Sequence, residues 1–245
     1  MTITGRLAAL ALATLALAGC QPTAPDDAAF GQRVRAYLLR HPEVLQEVGQ
    51  RLEAKQAEAE QAAVRKAEAM LPGLRATIER DPRDFVANPG GVVTVTEFYD
   101  YRCPHCASVA PRVVALIRAN PDVRFVFKEM PIFGPTSLHA ALAALAVKAA
   151  GGDSIGLYEA LMNAHGLDAA AIDRLARQKG AHPADLSAPP ASARAQLAQT
   201  TALFTRLNLE GTPAFIVGDH IILGEDMAAV YDAVARARAK TPTAG

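Results

Sequence analysis

Residues 92–100, VVTVTEFYD, run almost directly into Cys103-Pro104-His105-Cys106, which holds two of the three cysteines in the chain. The stretch is β-branched and aromatic, which predicts a buried central strand carrying Glu97. A helix is expected to begin at the cysteine pair and to end near Asn120-Pro121, with VRFVFKEM (123–130) as the next strand. Strand, helix and strand in that order point to an α/β fold, a sheet covered by helices rather than a bundle or a sandwich.

The same alternation extends through the C-terminal two thirds of the chain. LRATIE (74–79) reads as a first edge strand and NPGG (88–91) as a turn. Helices are expected over Ser137–Ala150, Asp153–His165 and Asp168–Lys179, because Asp or Ser starts and Gly stops fit helix capping. Another follows SAPPAS, from about Ala193 to Leu207. The chain then reads as two short strands around a Gly218-Asp219 hairpin turn and a last helix. The domain therefore spans 73–240, with a helical insertion at about 136–207.

The N-terminus reads differently. Arg6 precedes an apolar run from Leu7 to Leu17 and small residues ahead of Cys20, which is a secretory signal layout over 1–19. A membrane-spanning helix needs about 20 apolar residues, and this run stops at about half that. Leu17-Ala18-Gly19-Cys20 resembles a bacterial lipobox, which implies lipidation at Cys20; an ordinary signal with an incidental cysteine is the alternative. Residues 20–29 then read as the lipidated cysteine and a flexible tether. Residues 30–72 read as a helical arm ended by Leu71-Pro72-Gly73, with Pro42 opening a second helix. Phe30, Val34, Tyr37 and Leu38 share one face, continued by Val44, Leu45, Val48 and Leu52. Such a stripe either folds back, pairs with other copies or remains a solvated spacer.

Lys+Arg and Asp+Glu both total 25, so the charge balance gives no reason to expect a nucleic-acid partner. A disulfide staple between Cys103 and Cys106 closes almost no loop and constrains the unfolded chain little. A zinc site needs four ligands, whereas His41, His139, His165, His182 and His220 are scattered over other elements. No metal and no cofactor are expected. Two thiolates suit copper(I), so a copper-binding lipoprotein is the competing reading. It calls for methionines near the pair, and Met1, Met70, Met130, Met162 and Met227 do not cluster in sequence. A working redox pair is the favoured reading, with copper binding as the alternative.

Strand, CPHC at a helix start, strand, helical insertion, Gly211-Thr212-Pro213, hairpin and helix resemble the DsbA family of periplasmic thiol-disulfide oxidoreductases. VTVTEFYDYRCPHC, VRFVFKEMPIFGPTSLHAALAAL, GTPAFIVG and the arm's YLLRHPEVLQEV are most similar to the suppressor-of-copper-sensitivity C (ScsC) subgroup. The resemblance implies a thioredoxin fold with an inserted helical subdomain and an N-terminal helical arm. It implies thiol-disulfide interchange on periplasmic cysteine-containing proteins, a membrane redox partner, and oligomerisation through residues 30–71 with isomerase activity. Lipid anchoring at Cys20 would hold the protein to the membrane, and Gln21 suggests the outer one.

Cys103, at a helix N-terminus where unpaired N–H groups favour negative charge, is expected to be the exposed low-pKa nucleophile. His105 adds a donor or a positive charge, and Cys106, one turn inward, resolves the mixed disulfide. By the resemblance, Glu97 is the buried acid that shuttles the proton of Cys106, with Lys128 on the neighbouring strand holding it in register. Pro213 is expected to be cis against the cysteine pair, leaving the Thr212 backbone free to meet an extended substrate. Thr212 and the arm favour isomerase activity, whereas Pro104 and His105 within CPHC favour oxidase activity.

Overall fold

The computed structural model describes residues 27–164 and 166–240. Residues 1–26, with the signal, Cys20 and most of the tether, and His165 lie outside the described residues. The helices and strands follow in chain order: α1 (Asp27–Arg40), α2 (Glu43–Glu68), α3 (Leu71–Glu79), β1 (Phe85–Ala87), β2 (Val93–Tyr99), α4 (Pro104–Ala119) and β3 (Val123–Glu129). There follow α5 (Pro135–Ala149), α6 (Ser154–Met162), α7 (Ala169–Gln178), α8 (Pro183–Ser187), α9 (Ala191–Arg206), β4 (Ala214–Val217), β5 (His220–Leu223) and α10 (Met227–Lys240). The chain divides into two compact units, one through Gln56 and one from Ala57 onward.

In the second unit, β2 and β3 are buried at every position, as expected of strands covered on both faces. They pair in parallel, and the sheet runs β1-β3-β2-β4-β5 with the other pairings antiparallel. Alternation sorts the side chains between two apolar clusters. Val93, Val95, Tyr99, Val123, Phe125, Phe127 and Phe215 enter a large cluster with α4, α5, α6, α7, α8 and α10. Phe98, Ala214 and Ile216 face the other way, into a cluster built by the end of α2, α3 and α9. Gly91 is required at the entry to β2, since a Cβ there would lie 2.3 Å from the Arg124 nitrogen.

Two readings of the sequence change. LRATIE is the body of helix α3, not an edge strand. Pro72 occupies its first turn, and Leu71, Leu74 and Ile78 recur on one buried face, a helical spacing. The edge strand is β1, which pairs antiparallel with β3. The chain therefore does not leave the arm at Leu71-Pro72-Gly73; it turns at residues 69–70 into another helix. The short α8 and the early end of α6 at Met162 also differ from the expected boundaries.

The second change concerns Lys128. It stands opposite Phe98 in the β2–β3 register, one residue out of phase with Glu97, and so lies on the other face of the sheet. There its ammonium donates to the Thr77 carbonyl at 2.7 Å and pairs with Asp84 at 2.5 Å, both partners being buried. Gln196 from α9 donates to the same carboxylate. Lys128 holds α3 and the approach to β1 against the sheet and does not touch Glu97.

The unit through Gln56 presents apolar side chains to solvent: Phe30, Val34, Tyr37, Leu45, Val48 and Leu52 are all exposed. The stripe expected from the sequence is present, with Leu38 and Val44 half-buried and the other members exposed among the described residues.

Removing one partner of a buried ion pair leaves an uncompensated charge, which costs about 3–5 kcal/mol. Lys128→Met is expected to lower stability by that amount in urea unfolding at neutral pH, and Lys128→Met with Asp84→Asn to recover much of it.

Candidate active site

β2 ends at Tyr99 and the chain turns through residues 100–103 before α4 begins. Buried Asp100 shapes this turn. One carboxylate oxygen accepts from the Arg102 amide, and the other accepts from the amides of Ile132 and Phe133 beyond β3. The Cys103 amide donates to the Asp100 carbonyl. Cys103 is thereby fixed as the N-cap of α4, with Pro104 in the first turn. The backbone N–H groups of His105 and Cys106, which have no partner one turn earlier in the helix, act on its sulfur.

Both cysteines are free and buried. Hydrogen bonding from the Cys106 thiol, backed by those backbone amides, lowers the Cys103 pKa from 9.0 to about 5 against the opposing push of burial. The Cys106 thiol is raised instead, first by its bond to Cys103 and then by burial and the charge of Glu97. Cys103 therefore carries the charge. It is not exposed as expected from the sequence: 1% of its surface is accessible. The Thr212 carbonyl lies 3.1 Å from Sγ, and Cys103 lines a groove together with Tyr101, Arg102, Met162 and Leu167.

The Thr212–Pro213 peptide bond is cis, as expected, and both residues are buried. When Cys103 is protonated, its thiol donates to the Thr212 carbonyl across 109 residues of sequence. The site thus joins the start of α4 to the start of β4.

Glu97 is fully buried and lies behind the cysteines on the large-cluster face. Burial raises its pKa from 4.5 to about 8, with the Cys103 thiolate adding to the rise and a hydrogen bond from Tyr158 opposing it. Tyr158 Oη lies 3.3 and 3.4 Å from the two carboxylate oxygens. Its ring packs edge-on against Tyr99 and Phe127. Tyr99 and Tyr101 share a hydroxyl contact at 3.0 Å, and Tyr99 donates to a second buried acid, Glu129, whose pKa burial raises to about 7.

His105 lies at the surface, with Nδ1 2.5 Å from Glu225 Oε1 in the β5–α10 loop. Sequence reasoning did not find Glu225 or Tyr158. Neither stands in a motif, and each reaches the site from an element more than 50 residues away in the chain.

A family model described as thioredoxin matches residues 85–235, more than half of the chain. The chain belongs to the thioredoxin family. Within that thioredoxin match fall the CPHC pair, Glu97 and the Thr212–Pro213 bond. A second model, described as the copper resistance protein ScsC N-terminal domain, matches residues 26–59. Among solved structures, a thioredoxin-like oxidoreductase from Silicibacter pomeroyi DSS-3 is 37% identical, with 68% of this chain and 99% of that one covered and a TM-score of 0.64. ScsC from Proteus mirabilis in a transitional conformation is 26% identical over 87% of this chain and 99% of that one, with a TM-score of 0.63. Two curated Na(+)/H(+) antiporters of Salinispora arenicola and Salinispora tropica are 39% and 36% identical over 75 and 97 residues, and the matched part is only 11% and 14% of their length.

Between pH 4.5 and about 8, folded Glu97 keeps a proton that the unfolded chain releases, so its contribution to stability falls as pH rises. The full effect has an upper bound of about 5 kcal/mol. Glu97→Gln removes this titration. In urea unfolding of the reduced protein, the stability of Glu97→Gln relative to the parent is expected to improve steadily from pH 5 to pH 9; a constant difference would show that Glu97 is ionised throughout.

Proposed function

We propose that the protein catalyses thiol-disulfide interchange on cysteine-containing proteins of the periplasm through Cys103 and Cys106. The observation that carries this reading is a thiol lowered to about 5 at a helix N-cap, 3.1 Å from the Thr212 carbonyl beside a cis proline, with a raised thiol and a raised carboxyl behind it.

In the oxidising direction a substrate thiolate attacks Sγ of Cys103, the Cys103–Cys106 bond breaks, and Cys106 leaves with the electron pair and takes a proton. A second substrate thiolate then attacks the substrate sulfur of the mixed disulfide, and Cys103 leaves as a stable thiolate. In the reverse direction the Cys103 thiolate attacks a substrate disulfide, and Cys106 must lose its proton to resolve the product. Glu97 is the acceptor. Once Cys103 is bonded to substrate its negative charge is gone, and one of the forces that raise Glu97 disappears with it. The carboxyl then ionises more readily, its proton passing to solvent, and the carboxylate so formed takes the proton of Cys106 as its sulfur attacks the mixed disulfide.

Each unit by which the thiolate pKa falls below the working pH stabilises the reduced form by about 1.4 kcal/mol and raises a two-electron potential by about 30 mV. At pH 7 a thiol lowered from 9.0 to about 5 gains about two such units, which makes the couple more oxidising by on the order of 60 mV. Cys103 is a good leaving group, which favours both disulfide donation and repeated exchange on one substrate. Thr212 and Pro213 present the backbone on which an extended substrate segment lies beside Cys103.

The arm supports rearrangement as well as formation. Its exposed Phe30, Tyr37, Leu45, Val48 and Leu52 bury their stripe against other copies of the chain, and residues 26–59 match the ScsC N-terminal model. Lipidation of Cys20 ties the protein to the outer membrane, and a membrane thiol oxidase or reductase resets the couple. Among the described residues no helix is long and apolar enough to cross a membrane.

The test is reactivation of scrambled ribonuclease in glutathione buffer by the protein starting at Gln21, beside Cys103→Ala. Recovery that disappears in the variant and falls when residues 27–56 are removed is the expected result. Oxidation of reduced ribonuclease without recovery of the scrambled form would restrict the protein to disulfide formation. Failure in both assays would overturn the enzyme reading in favour of copper(I) binding by the same thiols. The Cys103 thiolate is expected to appear, by its ultraviolet absorbance, with a midpoint near pH 5, and the rate of alkylation at pH 7 to exceed that of an ordinary cysteine.

A further inference from the structure

The loop between β5 and α10 places Glu225 against the active-site helix, and none of the exchange steps uses it. Its Oε1 lies 2.5 Å from Nδ1 of His105, 120 residues away in sequence. The Ser108 side chain hydrogen-bonds the same carboxylate, and the charge of Arg112 favours it further. His105, Ser108 and Arg112 are spaced i, i+3 and i+7, so they share one face of α4. Three groups on the helix that starts at Cys103 therefore favour the charged carboxylate of a distant loop, and His105 contacts it directly.

The charges around His105 are few. α4 itself contains no Asp or Glu. Asp226, next to Glu225, is occupied as a cap of the following helix, where it accepts from the Ala229 amide at 2.9 Å. The Cys103 thiolate and Glu225 are the two negative groups acting on the imidazole, and both favour its protonated form. A histidine without such a partner has a pKa of about 6.5 and gains or loses its charge across the pH range in which thiol exchange runs.

We infer that Glu225 is a positioning residue that pins the His105 ring through Nδ1 and holds its positive charge beside the Cys103 thiolate, so that His105 does not titrate as the couple turns over. This rests on reading Cys103 and Cys106 as a redox pair. The fixed charge has a direct consequence. Without Glu225 the imidazolium would be stabilised by the thiolate of the reduced form alone, its proton would be released on oxidation, and the redox equilibrium would gain an extra dependence on pH.

The experiment follows the His105 Cε1 proton by NMR in the full chain, reduced and oxidised, with the resonance assigned by its loss in His105→Ala. In Glu225→Gln the His105 midpoint is expected to fall toward about 6.5 in the oxidised protein, with a larger gap between the oxidised and reduced forms than in the parent. The equilibrium with glutathione, compared between pH 6 and pH 8, is expected to change at least about three-fold more in Glu225→Gln than in the parent. That excess must vanish when Glu225→Gln is placed in the His105→Ala background. An unchanged His105 midpoint, or an equal effect of Glu225→Gln with and without His105, overturns the proposal. The NMR titration needs no substrate, so it reads the pairing even if the protein fails every exchange assay, whereas loss of exchange with a shifted midpoint would implicate the functional reading alone.

Discussion

Glu97 is fully buried on the face of the sheet opposite the basic side chains of β3, Arg124 and Lys128, and it accepts a hydrogen bond from Tyr158 rather than an ion pair. A carboxylate in such a place cannot be ionised cheaply, since the low-dielectric surroundings penalise charge and no cation compensates it. The architecture around it follows from that constraint. β2 must be covered on both faces to exclude water, which requires the helices after β3 on one side and α3 with α9 on the other. The basic side chains that the buried sheet does carry, Arg124 and Lys128, are sorted by strand alternation to the far face, where Asp84 and the carbonyls of Thr77 and Glu79 bind them. One face stabilises the fold and the other keeps an acid neutral.

The cysteines and Glu97 form a graded set of acids. Cys103 is lowered to about 5 by donors at the helix start, Glu97 is raised to about 8 by burial, and Cys106 is raised by its bond to Cys103, by burial and by the charge of Glu97. The two outer shifts have opposite effects on stability. Between about pH 5 and 9.0, folded Cys103 has released a proton that the unfolded chain retains, so its contribution rises with pH while that of Glu97 falls. The reduced site thus holds its negative charge at the sulfur nearest the groove and keeps the interior neutral. In the exchange proposed above, forming the mixed disulfide would remove that charge and leave the interior acid free to ionise when Cys106 requires it.

The positions legible in the sequence are those where one residue type answers one local requirement. The buried strand over 93–99, the thiol pair at a helix start, the turn at Gly218-Asp219 and the proline after Thr212 each follow from composition, spacing or the motif they complete. Leu71–Glu79 was not legible because six residues with Thr and Ile fit a strand and a short helix equally well; only Pro72 in the first turn and burial at i, i+3 and i+7 separate the two. Lys128 shows a different limit. Its distance in sequence from Glu97 says nothing about facing until the parallel register is known, and a shift of one residue moves a side chain to the opposite cluster. Tyr158 and Glu225 complete the site from the insertion and from the last loop, and contacts over that separation leave no periodic trace.

The accessibility of the nucleophile joins the fold to its chemistry. Cys103, with 1% of its surface exposed, cannot meet a large folded partner flat on, but it lines a groove with Tyr101, Met162 and Leu167. Met162 ends α6 and Leu167 precedes α7, so one wall of the approach belongs to the helical insertion and the other to the thioredoxin elements. Asp100 holds the start of α4 and the backbone after β3 in one carboxylate grip, which fixes Ile132 and Phe133, both exposed, close in the fold to the same approach. Under the exchange reading proposed above, a substrate segment with a cysteine would have to be extended and locally unpacked to reach Cys103, and that requirement would select incompletely folded chains by geometry, before any difference in redox potential acts.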